Sequence, residues 1–206
     1  MVFTDPPYAI FGSSTGVNKS IADYKMVIPF FREWIKNILI SVKINFHFYI
    51  CCDWRSYPFI FTILNENGFE VKNLIVWDKI VPGLGYFYRQ RHEFVIVAGF
   101  SKINALRKGK ISQGSITDEN LWQIQRDKEK KHNASKPIEL VERAIKNSSK
   151  KENDIVLDLF GGSGSTLIAC EKLNRRCYMM EIEPIYCQVI IDRWEKFTNK
   201  KAVKIK

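Results

Sequence analysis

The chain has 206 residues, 46% of them apolar and 13% aromatic, and carries a net charge of +10. That length fits one globular domain with a substantial core, and the excess of Lys and Arg favours a polyanionic partner. Its apolar runs are too short and interrupted to span a bilayer, and residues 1–10, which hold Asp5 and two prolines, are no signal peptide. Cys51, Cys52, Cys170, Cys177 and Cys187 form no CxxC pair, and His47, His92 and His132 complete no zinc pattern. The expectation is therefore no metal, reduced thiols and a cytoplasmic location.

In chain order, Val2-Phe3-Thr4 reads as a strand ending at Asp5, where Pro6-Pro7 removes ladder donors and forces an extended turn. Residues 9–20, rich in Gly, Ser and Asn, read as a loop. Ile28, Phe31, Ile35 and Leu39 share one face of a helix over 22–42. Phe46–Cys51 is a near-continuous apolar strand of the buried parallel kind. A helix over 56–67 closes at Asn67-Gly68. Val71–Asp78 and Glu93–Ala98 read as strands, joined by a loop with Pro82-Gly83-Leu84-Gly85, Tyr86, Phe87, Tyr88, Arg89 and Arg91. Residues 101–133 gather Lys102, Arg107, Lys108, Lys110, Arg126, Lys128, Lys130 and Lys131 among polar residues and read as an insertion rather than core. Lys136-Pro137 opens a helix over 136–148. The last unit is a strand (Asp154–Leu159), a glycine loop, a helix (Thr166–Leu173), a strand (Cys177–Ile182) and a helix (Pro184–Thr198). That is the framework of a doubly wound nucleotide-binding sheet.

The glycine loop reads Asp158-Leu159-Phe160-Gly161-Gly162-Ser163-Gly164-Ser165-Thr166. Glycines carry no Cβ, so a ligand can lie close over the backbone, and the helix start offers N–H groups. The loop has no GxxxxGK[ST] and is not a P-loop. It also lacks the third glycine of a dinucleotide fingerprint. Glu181, near the end of the next strand, is placed to accept hydrogen bonds from the two hydroxyls of a ribose. The plainer reading is a tight βα turn with a surface glutamate.

Asp5-Pro6-Pro7-Tyr8 sets a carboxylate, a backbone carbonyl and an aromatic ring on a rigid frame, which suits gripping an amino group beside an aromatic ring. Taken alone, four residues are as well read as a proline-rich turn. Together and in this order, the two motifs resemble the amino-group DNA methyltransferases of the permuted β group. Val76-Trp77-Asp78-Lys79 and Arg91-His92-Glu93-Phe94-Val95-Ile96-Val97 resemble the middle region of that group. His132-Asn133-Ala134-Ser135-Lys136-Pro137 resembles the segment that runs beside its cofactor pocket, with Asn133 where many relatives have Pro. Trp194 through Ala202 and Val203 resemble the end of ParB-linked methyltransferases.

The resemblance implies a Rossmann-like, mixed but mostly parallel seven-stranded α/β sheet with helices on both faces, in one domain over 1–206. It implies S-adenosylmethionine as cofactor, held by Asp158, Phe160, Gly162, Ser163, Gly164, Glu181 and Lys136. Asp5, Pro6, Pro7 and Tyr8 would be catalytic. The Asp5 carboxylate and the Pro6 carbonyl would take the two N–H bonds of the target amine, free its lone pair for the sulfonium methyl, and leave Tyr8 to stack on a base flipped from the duplex. Tyr86, Tyr88, Arg89, Arg91, Lys108, Lys110, Lys130 and Lys131 would contact double-stranded DNA, with 101–133 as the target-recognition insertion. A solvated basic surface is the plainer reading of those lysines.

An Asp at the head of the first motif points to N6 of adenine. N4 of cytosine is the alternative, and a non-catalytic DNA- or cofactor-binding remnant is the alternative from another class. A homodimer and a restriction or ParB-like partner stay open. With Met1 so close to Asp5, the N-terminus reads as truncated relative to relatives, with an exposed sheet edge or an incomplete adenosine pocket as the expected consequence.

Overall fold

The structure is a computed structural model that describes residues 1–7, 24–42, 46–83, 87–100, 118–126 and 135–205. Its strands are β1 (Val2–Thr4), β2 (Phe46–Cys52), β3 (Glu70–Asp78), β4 (His92–Phe100), β5 (Leu121–Gln123), β6 (Ile155–Asp158) and β7 (Arg176–Met179). Its helices are α1 (Tyr24–Ser41), α2 (Tyr57–Glu66), α3 (Ile138–Ser148), α4 (Ser165–Lys172) and α5 (Pro184–Thr198). The strands form one 7-stranded sheet in the order β5-β3-β4-β2-β1-β6-β7. β1 pairs in parallel with β2 and β6, β6 with β7, and β3 with β5, while β4 runs antiparallel to both β2 and β3. The expected mixed, mostly parallel sheet is therefore present.

Side chains alternate across a strand, and here the alternation builds two cores. Val2, Phe48, Ile50 and Cys52 face α1 and α2, against Phe31, Ile35, Ile60 and Leu64. Phe3, Tyr49, Cys51, Val95 and Trp77 face the other way, against Leu140, Val141, Ala144 and Ile145 of α3 and Ala169 and Cys170 of α4. Helices thus cover both faces. β1 and β2 read as near-continuous apolar runs because both of their faces are buried.

Two expectations change. Residues 118–126 fall inside the segment read as an insertion, yet they supply β5 and part of a core: Trp122 is 1% exposed and Ile124 2%. Trp77 Nε1 donates to the Ile124 carbonyl at 2.8 Å, and Arg143 of α3 grips Asp118 at 2.8 and 2.5 Å. A three-residue strand among polar neighbours carries too short an alternation to stand out in sequence. The second change is at β7, which stops at Met179, so Glu181 lies in the turn beyond the strand. β7 forms one sheet edge, Tyr178 is 55% exposed, and α5 has no fully buried residue.

Candidate active site

Parallel strands bring their carboxyl ends to one edge of the sheet, where ligands of such folds bind. Asp5 follows β1, Asp158 ends β6, and Glu181 follows β7. β4 runs the other way, so its first residues, His92 and Glu93, arrive at that same edge. Three stretches that are remote in sequence, around Asp5, around Glu93 and over 158–181, meet there.

Around Asp5 the site is built from buried charge. Lys136 Nζ donates to Asp5 Oδ2 at 2.7 Å and lies 3.2 Å from Glu93 Oε2. The other oxygen of Glu93, Oε1, takes Lys79 Nζ at 3.3 Å and Arg126 at 3.1 Å. Burial alone would push the Glu93 carboxyl up, but Lys136, Lys79 and Arg126 outweigh it and hold it at about 2. Burial likewise works against the charge on Lys136, and Asp5 and Glu93 overcome it, so the ammonium is held well above its ordinary range. Lys136 sits just ahead of α3, and its carbonyl accepts from Ser165 Oγ at 2.7 Å, which ties the start of α3 to the start of α4. Lys136, expected from the sequence at the cofactor, turns its ammonium towards the first motif.

Around the glycine loop the site is built from backbone. Gly162 has φ +51 and Gly164 has φ +82, the left-handed region that favours glycine. A Cβ on Gly161 would come within 2.7–2.8 Å of the Met179 side chain and 3.1 Å of the Met180 carbonyl, so the loop passes tightly over the end of β7. Glu181 Oε2 accepts from Gly162 N–H at 2.7 Å, and Oε1 accepts from Glu183 N–H at 2.9 Å. The acidic side chain is thus fixed against the loop by both oxygens. Arg193 of α5 donates to the Ser163 carbonyl at 3.0 Å and braces the loop from outside. Phe160 is half-buried against Phe30 and Trp34. A loop with three glycines beside a fixed carboxylate fits an adenosyl group.

Asp158 joins the two halves. It is 3% exposed. Its carboxylate accepts from Thr4 Oγ1 at 3.2 Å, Thr166 Oγ1 at 2.6 Å and Phe160 N–H at 3.1 Å. Burial raises its carboxyl to about 7, and those hydrogen bonds offset only part of the rise. Asp158, expected from the sequence at the cofactor, also forms a strut between β1 and α4.

The loop after β3 closes on itself. Arg91 grips Asp78 with two bonds of 2.7 Å, and Arg89 donates to the carbonyls of Gly83 at 2.9 Å and Pro82 at 3.2 Å. Both guanidinium groups hold the loop's shape. Among its described residues Phe87 and Tyr88 are exposed, at 92% and 90%. Tyr8, Tyr86, Lys108, Lys110, Lys130 and Lys131 lie outside the described residues. Sequence reasoning missed Glu93, Lys79, Thr4, Thr166 and Arg193. The one available signal was an acid opening an apolar strand, as in His92-Glu93-Phe94. Among the described residues no group of three or more His, Cys, Asp or Glu is placed to hold a metal.

Comparison with known proteins fits this geometry. The profile of a family described as DNA methylase, of the N6/N4 type, matches residues 1–192. The chain is 28% identical over 227 residues to the type II methyltransferase M2.MboI of Moraxella bovis, covering 96% of this chain and 81% of that one. It is similar to the crystal structure of the M1.HpyAVI–SAM complex, with TM-score 0.71 and 30% identity over 93% of this chain and 87% of the other. The PvuII DNA methyltransferase, described as cytosine-N4-specific, shares the fold with TM-score 0.70 at 19% identity over 96% of this chain and 82% of that one.

Proposed function

Since the chain belongs to the N6/N4 DNA methylase family, we propose that it methylates N6 of adenine in DNA, and that its motif order is the permuted β arrangement. The observation that carries the proposal is Asp5. Its carboxylate follows a strand end on a Pro-Pro turn, anchored by Lys136 at 2.7 Å, at the sheet edge shared with the glycine loop. An acceptor fixed in this way can take an N–H of an exocyclic amine and draw the nitrogen towards tetrahedral geometry.

S-adenosylmethionine is the cofactor; when bound it supplies an electrophilic methyl group on a sulfonium with a neutral thioether as leaving group. The glycine loop would lie under its adenosyl portion and Glu181 would take the ribose hydroxyls. Asp5 and the Pro6 carbonyl orient the amine, and the proton that the methylated amine sheds leaves by way of the Asp5 carboxylate to solvent. Tyr8 would stack on the extruded base. The aromatic tip at Phe87 and Tyr88 and the basic segments at 101–117 and 127–131 would face the duplex.

Asp at the head of the first motif favours adenine. The fold shared with a cytosine-N4-specific enzyme keeps cytosine as the second reading. Expression in a host that lacks DNA methylation, followed by nucleoside analysis of its DNA, tests both. N6-methyladenine is expected. N4-methylcytosine in its place would move the target, and unmodified DNA from a host holding folded, cofactor-binding protein would end the reading.

A further inference from the structure

We infer that Glu93 is a positioning residue for methyl transfer: it fixes the Lys136 ammonium, and Lys136 fixes the Asp5 carboxylate that receives the target amine. The inference rests on the function proposed above and deepens it. It starts from how the two oxygens of Glu93 are divided. Lys79 and Arg126 take Oε1, at 3.3 and 3.1 Å, and Lys136 lies on Oε2 at 3.2 Å. The first two cations hold Glu93 still, which leaves its second oxygen aimed at Lys136.

A lysine ammonium is a compact charge on a flexible four-carbon stem. Paired with Asp5 alone, it would follow that carboxylate and draw on its full acceptor strength. Set between two carboxylates it is held from both sides, and its charge is shared. Asp5 Oδ2 then has a fixed partner, and the carboxylate keeps both its orientation and its capacity to accept an amine N–H. The side chains of Lys136 and Glu93 are 11% and 13% exposed, so water does little to weaken the coupling. Placement in the fold supports the same role. Glu93 is the second residue of the antiparallel strand β4, the one arrangement that delivers a strand's first residues to the edge where β1 ends. Its neighbours Phe94, Val95 and Ile96 pair with β2, which fixes the backbone beneath it.

A structural role would be limited to balancing buried charge, and the test separates the two. Single-turnover methylation, cofactor affinity, DNA affinity and melting temperature are measured for wild type, Glu93→Gln, Lys136→Met, the double variant and Asp5→Ala. For Glu93→Gln we expect cofactor and DNA affinities within about twofold of wild type and a transfer rate lower by about 10–100-fold. Lys136→Met should slow transfer at least as much. The double variant should be no slower than Lys136→Met, because the two residues act through one linkage. Folded, cofactor-binding Glu93→Gln that transfers methyl within about twofold of the wild-type rate overturns the inference. Rate losses that multiply in the double variant overturn it as well.

If Glu93→Gln does not fold, a Glu93→Met/Lys136→Met protein replaces it, since removing both charges together leaves neither buried alone. Wild-type transfer by that protein is then the overturning result. Asp5→Ala distinguishes the two levels. If it is inactive while Glu93→Gln is unimpaired, only this inference falls; if it transfers at the wild-type rate, the proposed function falls and takes the inference with it.

Discussion

The two halves of the site are made of different materials. Around Asp5 the working parts are side-chain charges from positions 5, 79, 93, 126 and 136, gathered by strands β1, β3, β4 and β5 and by the approach to α3. Around Gly162 the working parts are backbone N–H groups and one carboxylate, nearly all from the single stretch 158–183. The first half depends on the whole sheet being assembled, and the second on a local strand-turn-helix. Substitutions in the first should therefore act on the chemical step, and substitutions in the second on binding.

The sharpest way to break that contrast is Asp5→Ala. In the proposed role its acceptor oxygen would matter most as the amine nitrogen rehybridises, so the single-turnover rate should fall by about 10²–10³-fold, the equivalent of roughly 3–4 kcal/mol. Cofactor affinity should hardly change. Transfer at the wild-type rate would reduce Asp5-Pro6-Pro7-Tyr8 to a turn.

The same contrast explains what could be read from the sequence. The glycine loop, its acidic partner and the helix that follows lie within one contiguous run, where residue types at fixed offsets carry the geometry. Helix α5 is legible over Pro184–Thr198 and occupies those residues. Lys136 stands out in the sequence, but its partner does not. Nothing in the spacing of Glu93 and Lys136 says that an antiparallel strand will lay one beside the other. Asp158 is legible as a carboxylate at a strand end, but its bonds to Thr4 and Thr166 are not, because such a carboxylate looks the same in sequence whatever donates to it. β5 escapes notice because its signal is three apolar residues, Leu121, Trp122 and Ile124, in a polar stretch.

Asp158 itself allows a test through pH. Its folded carboxyl is raised from 3.8 to about 7, so the folded state keeps a proton that the unfolded chain has released in that interval. The associated stabilisation is complete below the ordinary carboxylate range and is lost as pH rises through about 7. Asp158→Asn is neutral throughout and lacks this dependence. The difference in urea unfolding free energy between wild type and Asp158→Asn should change by about 2–4 kcal/mol between pH 4 and pH 7.5. A flat difference would mean that the strut is ionised and well satisfied.

Glu181→Ala examines the backbone half. The substitution takes an acceptor from Gly162 N–H and Glu183 N–H, as well as the group proposed to meet the ribose. Cofactor binding should weaken by about 1–3 kcal/mol, while transfer from saturating cofactor should be much less affected than in Asp5→Ala. Calorimetry that finds equal affinity in wild type and variant would remove Glu181 from the cofactor site.

The smallest effect expected is at Arg91, and it bears on which cations reach DNA. A guanidinium that meets a phosphate releases counterions, and its removal lowers the slope of log affinity against log salt by about 0.9. Arg91 is already committed to Asp78 by two bonds of 2.7 Å, and Asp78 in turn caps Ile80 N–H at 2.8 Å. That pairing holds the Asp78 carboxyl at about 2, so the pair stays ionised throughout the range in which DNA binding is measured. Arg91→Met should therefore loosen the loop behind Phe87 and Tyr88 and leave the salt slope almost unchanged. Neutralising Lys108, Lys110, Lys130 and Lys131 together should flatten the slope by about 0.9 for each phosphate that no longer meets a cation. A full unit lost on Arg91→Met would mean that the guanidinium leaves Asp78 when DNA arrives. The ion pair would then be a resting state of the loop, and the division between loop-shaping arginines and DNA-binding lysines would fail.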